Sequence, residues 1–238
     1  MRTLAAVASL AVLLAAPLAA CGDAPPAPGD SAVPPAAEAP EPPPRVPAPT
    51  PPAGGEQGGA AGWHEVASSE DASRLGRLDQ AWRMGRAEAE DRGFAAQVEA
   101  LGPLVDPNAG QAGRLQPPPG DYRCRAVKLG SNGPGGPGYL EYPFFRCIIE
   151  LTPGGDLVLT KTTGSQRTRG LLYPDSDRRL IYVGAQAWGA DETGWPAYGQ
   201  MPERDQIGVF ERIGSQRWRL VLPWPKQDSK LEILELVR

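Results

Sequence analysis

His64 and the three cysteines Cys21, Cys124 and Cys147 are the chain's whole supply of the residues that most often carry nucleophilic or metal chemistry. A Ser-His-Asp or Cys-His relay would have to use His64. That residue stands just before the first helical pattern, where capping or packing explains it. Zinc and iron centres usually take several His or Cys ligands, more than this chain offers, so the expectation is no metal and no cofactor. Among the acids, Asp191 with Glu192 and Glu203 with Asp205 are candidate carboxylate pairs. Glycoside hydrolysis needs a defined spatial separation between two such groups, and sequence spacing does not supply one. The run Gly130 to Gly138 lacks the Lys-Ser/Thr ending of a phosphate loop and reads as a loop between strands.

The cysteines divide two and one. Met1-Arg2 followed by the apolar run Leu4 to Leu18 has the form of an export signal, too short and too alanine-rich for a membrane span. Leu18-Ala19-Ala20-Cys21 resembles the bacterial lipobox, which implies that the Cys21 thiol carries diacylglycerol. Several acyl chains on one residue hold firmly where one chain holds marginally. Gly22, not Asp, follows, which in the enteric sorting rule favours the outer membrane over the inner. The expected location is periplasmic and lipid-anchored, with the bilayer as the first partner.

Cys124 and Cys147 each sit in a strand-like run, and in an oxidising compartment two such thiols should pair. Closing a loop of ~24 residues contributes about 3 kcal/mol by the chain-entropy estimate. Alternate strand residues share a face, so Arg123 and Arg125 point away from Cys124, as Arg146 points away from Cys147. If the bridged strands lie side by side, these arginines gather as a candidate patch. Its counterpart is either the acidic turn Glu70-Asp71 or an external anionic ligand, lipid head group or envelope protein; separately solvated arginines are the third reading.

These groups are positioned by a chain of three parts. Residues 1–20 form the signal, and residues 21–62 a Pro/Ala/Gly-rich tether without the apolar content needed to fold. Its ~40 residues, extended at about 3.1 Å each, reach on the order of 100 Å. Residues 63–238 form one globular domain, helical over 63–105 and β over 121–238. Ser68 caps a helix whose stripe is Leu75, Leu78, Trp82, Gly85 and Ala89. Gly93 ends it, and Phe94 to Leu101 forms a second short helix stopped by Gly102-Pro103. Eight strand-like runs then begin at Asp121, Phe144, Asp156, Arg167, Arg178, Gln206, Arg217 and Leu231. Trp218, Leu220, Leu222 and Trp224 alternate with Arg217, Arg219 and Val221, so that strand is expected to bury one face. The fold class is α+β, mainly β: a small antiparallel barrel, or else a sandwich, of about eight strands behind one or two helices. The string GSQR, at residues 164–167 and 214–217, reads as recurrent turn chemistry.

DYRCRAVKLG, YPFFRC, TGSQRTRGLLYPD and DQIGVFERIGSQRWRLVLPWP occur in that order. The set resembles an uncharacterised bacterial family known as domain of unknown function 4893, over about Trp63 to Val237. The resemblance implies an envelope location and brings no activity, cofactor or catalytic residue.

A formal charge of -4 argues against nucleic acid as a partner, which would want a basic face. Two functional classes stay open: a non-enzymatic binding or assembly module on a lipid tether, and a carboxylate-based envelope hydrolase acting on glycan or peptide. Two acids facing each other across an open barrel end would favour the hydrolase.

Overall fold

The computed structural model describes residues 62–238. The expectations placed on residues 1–61, the Cys21 anchor among them, lie outside the described residues.

Four short helices precede the sheet: α1 (Trp63–Val66), α2 (Ser69–Gly76), α3 (Leu78–Ala89) and α4 (Ala95–Ala100), then a 3₁₀ turn at Gly102–Val105. The Ser68 side chain accepts from the Asp71 N–H at 3.1 Å and starts α2. The single expected helix is split at Arg77, because its two halves serve different surfaces. Trp63 on α1 and Leu75 on α2 pack on Ile181, Val183, Ile207 and Val209. Ala81, Trp82 and Ala89 on α3 pack on Val127, Leu129, Leu231 and Ile233. Gly85 is where α3 comes closest: a Cβ there would stand 3.0 Å from the Leu129 carbonyl oxygen and 3.2 Å from the Leu231 side chain.

The sheet is a closed antiparallel barrel of eight strands with one short strand added. Its strands are β1 (Gly120–Ser131), β2 (Tyr139–Glu141), β3 (Phe145–Leu151), β4 (Leu157–Lys161), β5 (Arg167–Pro174), β6 (Leu180–Ala187), β7 (Asp205–Gly214), β8 (Arg217–Pro223) and β9 (Ser229–Val237). Each neighbour pairs in sequence from β3 to β9, and β9 closes on β1 with Cys124 opposite Leu236. One edge of β1 carries β3 along its first half and β2 along its second. These two are halves of one strand broken at Tyr142-Pro143-Phe144, where Pro143 has no N–H to give. The break leaves Tyr142 turned towards the barrel end, its N–H donating to the Ala126 carbonyl at 3.0 Å.

Side chains fill the lumen. Tyr122, Cys124, Cys147, Ile149, Leu159, Leu172, Phe210, Trp218, Leu220 and Leu236 form its apolar length. The Cys124–Cys147 disulfide joins β1 and β3 within it, with Cα atoms 5.8 Å apart. Gly170 on β5 faces Gly184 on β6, and a Cβ on either would come within 2.6 Å of the other's Cα. That pair makes room for the fully buried Tyr182 ring. The expectation of one buried face on β8 is corrected: Trp218, Leu220 and Leu222 line the lumen, but Arg219 and Val221 are buried as well. The helical layer covers the outer face there, so the strand alternates between two kinds of core, a pattern that in sequence looks like core against solvent. Trp224 falls outside β8, at φ +48°, with its indole N–H donating to the Arg77 carbonyl.

Candidate functional site at the polar end of the barrel

In an up-and-down barrel, alternate turns fall at the same end. The β4–β5 turn, the β6–β7 loop (residues 188–204), the β8–β9 turn and the break between β2 and β3 therefore share one end. The lumen becomes polar towards it. Lys128 continues the inward face of Tyr122, Cys124 and Ala126; Glu232 continues that of Leu234 and Leu236; Lys161 continues that of Leu157 and Leu159. On β5, β6 and β7 the inward positions at this end are Thr168, Gln186 and Gln206.

Two polar groupings form there. Tyr182, Thr168 and Gln206 make a relay in which the tyrosine and threonine oxygens lie 2.5 Å apart and the threonine hydroxyl bonds the Gln206 amide oxygen. The second is ionic. Lys128 Nζ lies 2.9 Å from each oxygen of Asp228, 3.7 Å from Glu232 Oε2 and 2.7 Å from Gln166 Oε1. Burial alone would lower the Lys128 ammonium, but Glu232 and Asp228 outweigh it and hold it above the ordinary lysine value. Burial pushes the Glu232 carboxyl up, with Lys128 opposing and Asp228 reinforcing the shift.

Lys161 is different. Its Nζ donates to the Gln166 carbonyl at 2.5 Å and sits 4.1 Å from the centre of the Phe145 ring. Among the described residues no carboxylate lies within ion-pairing distance of it. Burial lowers it to about 8; the charge of Glu232 resists, and Lys128 and Arg167 add to the fall. It opens on a recess of about 100 Å³ whose walls include Tyr142, Phe145, Ser165, Gln166 and Glu232. That space is enough to admit a small polar group.

The residues singled out from sequence fall elsewhere. Cys124 and Cys147 are paired inside the lumen, so they are spent on structure. Arg123, Arg125 and Arg146 do share the outer face opposite the disulfide, and Arg123 and Arg146 are direct partners across β1 and β3. The Glu70-Asp71 turn does not answer them, a correction to that alternative. Asp71, fully buried, pairs with Arg74 and receives the Tyr198 hydroxyl, and Glu70 lies 3.2 Å from Lys226. Those contacts tie α2 to the β6–β7 loop and the β8–β9 turn instead. His64 stacks on Trp63 with ring centres 3.6 Å apart.

Of the four candidate acids, Glu192 and Asp205 are held by backbone N–H groups of the β6–β7 loop. Glu192 accepts from the Trp188 and Gly189 N–H groups and pairs with Arg204, and these two amide bonds lead in lowering its carboxyl. Asp205 is buried and accepts from Gly199 N–H. Asp191 and Glu192 line a hollow of about 400 Å³ along the β6–β7 loop, while Glu203 is exposed.

Lys128, Lys161 and Glu232 belong to no sequence motif. The available signal was phase: each is a charge in step with a lumen-facing apolar series.

With the site in view, comparison with known families gives a match over residues 63–236 to a model described as a domain of unknown function (DUF4893). The chain belongs to this family. No curated protein and no solved structure matches it. The DUF4893 domain thus comprises both the helical layer and the barrel, and the polar end lies wholly within it.

Proposed function

We propose that this protein is a bacterial envelope lipoprotein, anchored through Cys21 and probing its surroundings on the tether of residues 22–62. Its barrel is a non-enzymatic binding module that seats one small anionic group, a carboxylate or a phosphate, in the recess at its polar end. One observation carries the reading: in a lumen otherwise filled by side chains, the Lys161 ammonium borders an open recess without an ion-pair partner among the described residues, the Glu232 carboxylate on the same wall being engaged by Lys128. A buried charge without a counter-ion costs stability, and an incoming anion would supply that counter-ion. Gln166, whose amide oxygen is held by Lys128, and Ser165 stand beside it as polar rim.

Binding an anion favours the protonated amine. The lysine value therefore rises on binding, protons are taken up near pH 8, and affinity falls as pH passes above that range. Titrating the full chain at pH 8 with inorganic phosphate and with acetate should give saturable, millimolar binding with proton uptake, and Lys161→Met should abolish it. Equal binding by wild type and Lys161→Met, or none by wild type, overturns the recess. Intact-mass measurement of the membrane fraction tests the anchor separately: an unmodified, soluble protein ends that part.

A further inference from the structure

Arg123 on β1 and Arg146 on β3 stand directly opposite each other on the outer face of the barrel, both exposed. Like charges so placed have Cβ atoms about 5 Å apart and weaken the sheet. The barrel does nothing to relieve them: among the described residues neither arginine forms an ion pair. Arg125, on the same face, differs, being neutralised by Glu141 and by the buried Glu235, whose Oε2 lies 2.5 Å from Arg125 Nε. Asp121, the next acid along that face of β1, forms no ion pair either.

Beside Arg123 and Arg125 stands Phe144, 42% exposed and among the large apolar side chains left open to solvent. Its ring centre is 4.8 Å from the Arg123 guanidinium carbon and 5.2 Å from that of Arg125. The stacking orders two guanidiniums around an apolar tip. Pro143 fixes the break that presents it, and the preceding residue, Tyr142, lines the recess on the inner side.

We infer that Arg123, Arg146 and Phe144 form a membrane-contact site that takes the phosphate of an anionic lipid head group between the two unpaired guanidiniums, with the Phe144 ring entering the interface. Guanidinium forks match phosphate oxygens, and an anion between Arg123 and Arg146 turns their repulsion into attraction. A stable protein interface needs about 20–30 residues on each side; a head group needs only this cluster. Two arginines near an anionic leaflet are worth roughly a thirtyfold gain in partition. That is too little to draw a protein from solution but enough to orient a domain already held beside the bilayer. The inference rests on the anchored-lipoprotein reading for that proximity.

Arginine footprinting tests it on the mature wild-type protein, so no variant has to fold. The protein is mixed with excess vesicles of phosphatidylcholine alone, or of phosphatidylcholine with about one third phosphatidylglycerol, sedimented, and labelled with phenylglyoxal. Peptide mass spectrometry then reads each arginine. At least threefold lower labelling of Arg123 and Arg146 on the anionic vesicles is expected, lost at high salt, with Arg178 in the β5–β6 turn unchanged. Sedimentation with both compositions and equal labelling overturns the contact site while leaving the anchor standing. Failure to sediment with either vesicle overturns both. Protection seen only in native envelopes, and not on pure lipid, assigns the face to an acidic protein and overturns the lipid.

Discussion

The Lys161 ammonium and the Glu232 carboxylate border the same recess without pairing, because Lys128 and Asp228 already share Glu232's neighbourhood and Lys161 is left on a backbone carbonyl and an aromatic ring. Two buried lysines at one barrel end therefore contribute with opposite sign. Lys128→Met leaves the buried Glu232 without its cation, and breaking a buried pair is costly. It should lower stability by about 3 kcal/mol in urea unfolding. Lys161→Met removes a charge that folding leaves uncompensated and keeps a similar shape. It should raise stability at pH 7 by about 1–2 kcal/mol, the gain commonly found when a binding site is traded for packing. Equal losses in the two variants would contradict the assignment of the free cation.

The Lys161 effect should also depend on pH in a set direction. Its folded value, about 8, lies below the ordinary lysine value of 10.5. Between those limits the unfolded chain binds the proton and the native one does not, so this group's contribution to stability rises with pH across that window. Below it the lysine is charged in both states and the full penalty of burial is present. The advantage of Lys161→Met over wild type should thus be greatest near pH 7 and shrink towards pH 10. Paired thermal unfolding curves at pH 7, 8.5 and 10 measure it, and a constant difference contradicts it.

Much of the architecture is legible in the sequence, for local reasons. Ser68 and Gly93 mark helix boundaries through capping and φ +90°. Glycine, proline and aspartate punctuate strands whose starts fall within a few residues of those expected. β2 was not legible: the three residues Tyr139–Glu141, just ahead of Pro143, carry no alternation to read. The outer cores were misread at β8 because apolar alternation cannot say whether helices cover the other face. The polar end required one further step. Lys128, Lys161 and Glu232 lie 33 and 71 residues apart along the chain, and only the register of a closed barrel brings them to one end. Arg123 and Arg146 are legible as neighbours in the sequence because each flanks a cysteine of the disulfide that ties their strands.

The bridge itself supports a prediction independent of any ligand. Both sulfurs are fully buried in the lumen between β1 and β3, and the loop they close contains the β2 excursion. Replacing Cys124 and Cys147 together by Ser should lower stability by about 3 kcal/mol by the loop-entropy estimate. Two buried hydroxyls in place of the sulfur bridge should add to the loss. Non-reducing peptide mapping should recover residues 124 and 147 linked; two alkylatable thiols in the native protein would falsify the pairing.

Arg219 gives the last prediction, about what holds the helical layer on the barrel. It is fully buried on the outer face of β8. Its Nη1 donates to the carbonyls of Pro103, Leu104 and Asp106 at 3.0, 3.0 and 2.7 Å, and its Nε donates to Glu211 Oε2 at 2.8 Å. The guanidinium carbon also lies 5.2 Å from the Trp82 ring centre. One side chain thus collects the unsatisfied carbonyls at the end of the helical segment and neutralises itself on β7. Arg219→Met preserves bulk but orphans the buried Leu104 carbonyl, the part-buried carbonyls of Pro103 and Asp106 and the Glu211 carboxylate, each with a desolvation cost. The expected loss is about 4 kcal/mol. Arg219→Lys keeps the charge but not the planar fork, so it should recover only part of this. Hydrogen exchange locates the damage: residues 101–106 should lose protection first, while β4 to β6 keep theirs. Uniform loss across the barrel, or a variant as stable as wild type, would remove Arg219 from this role.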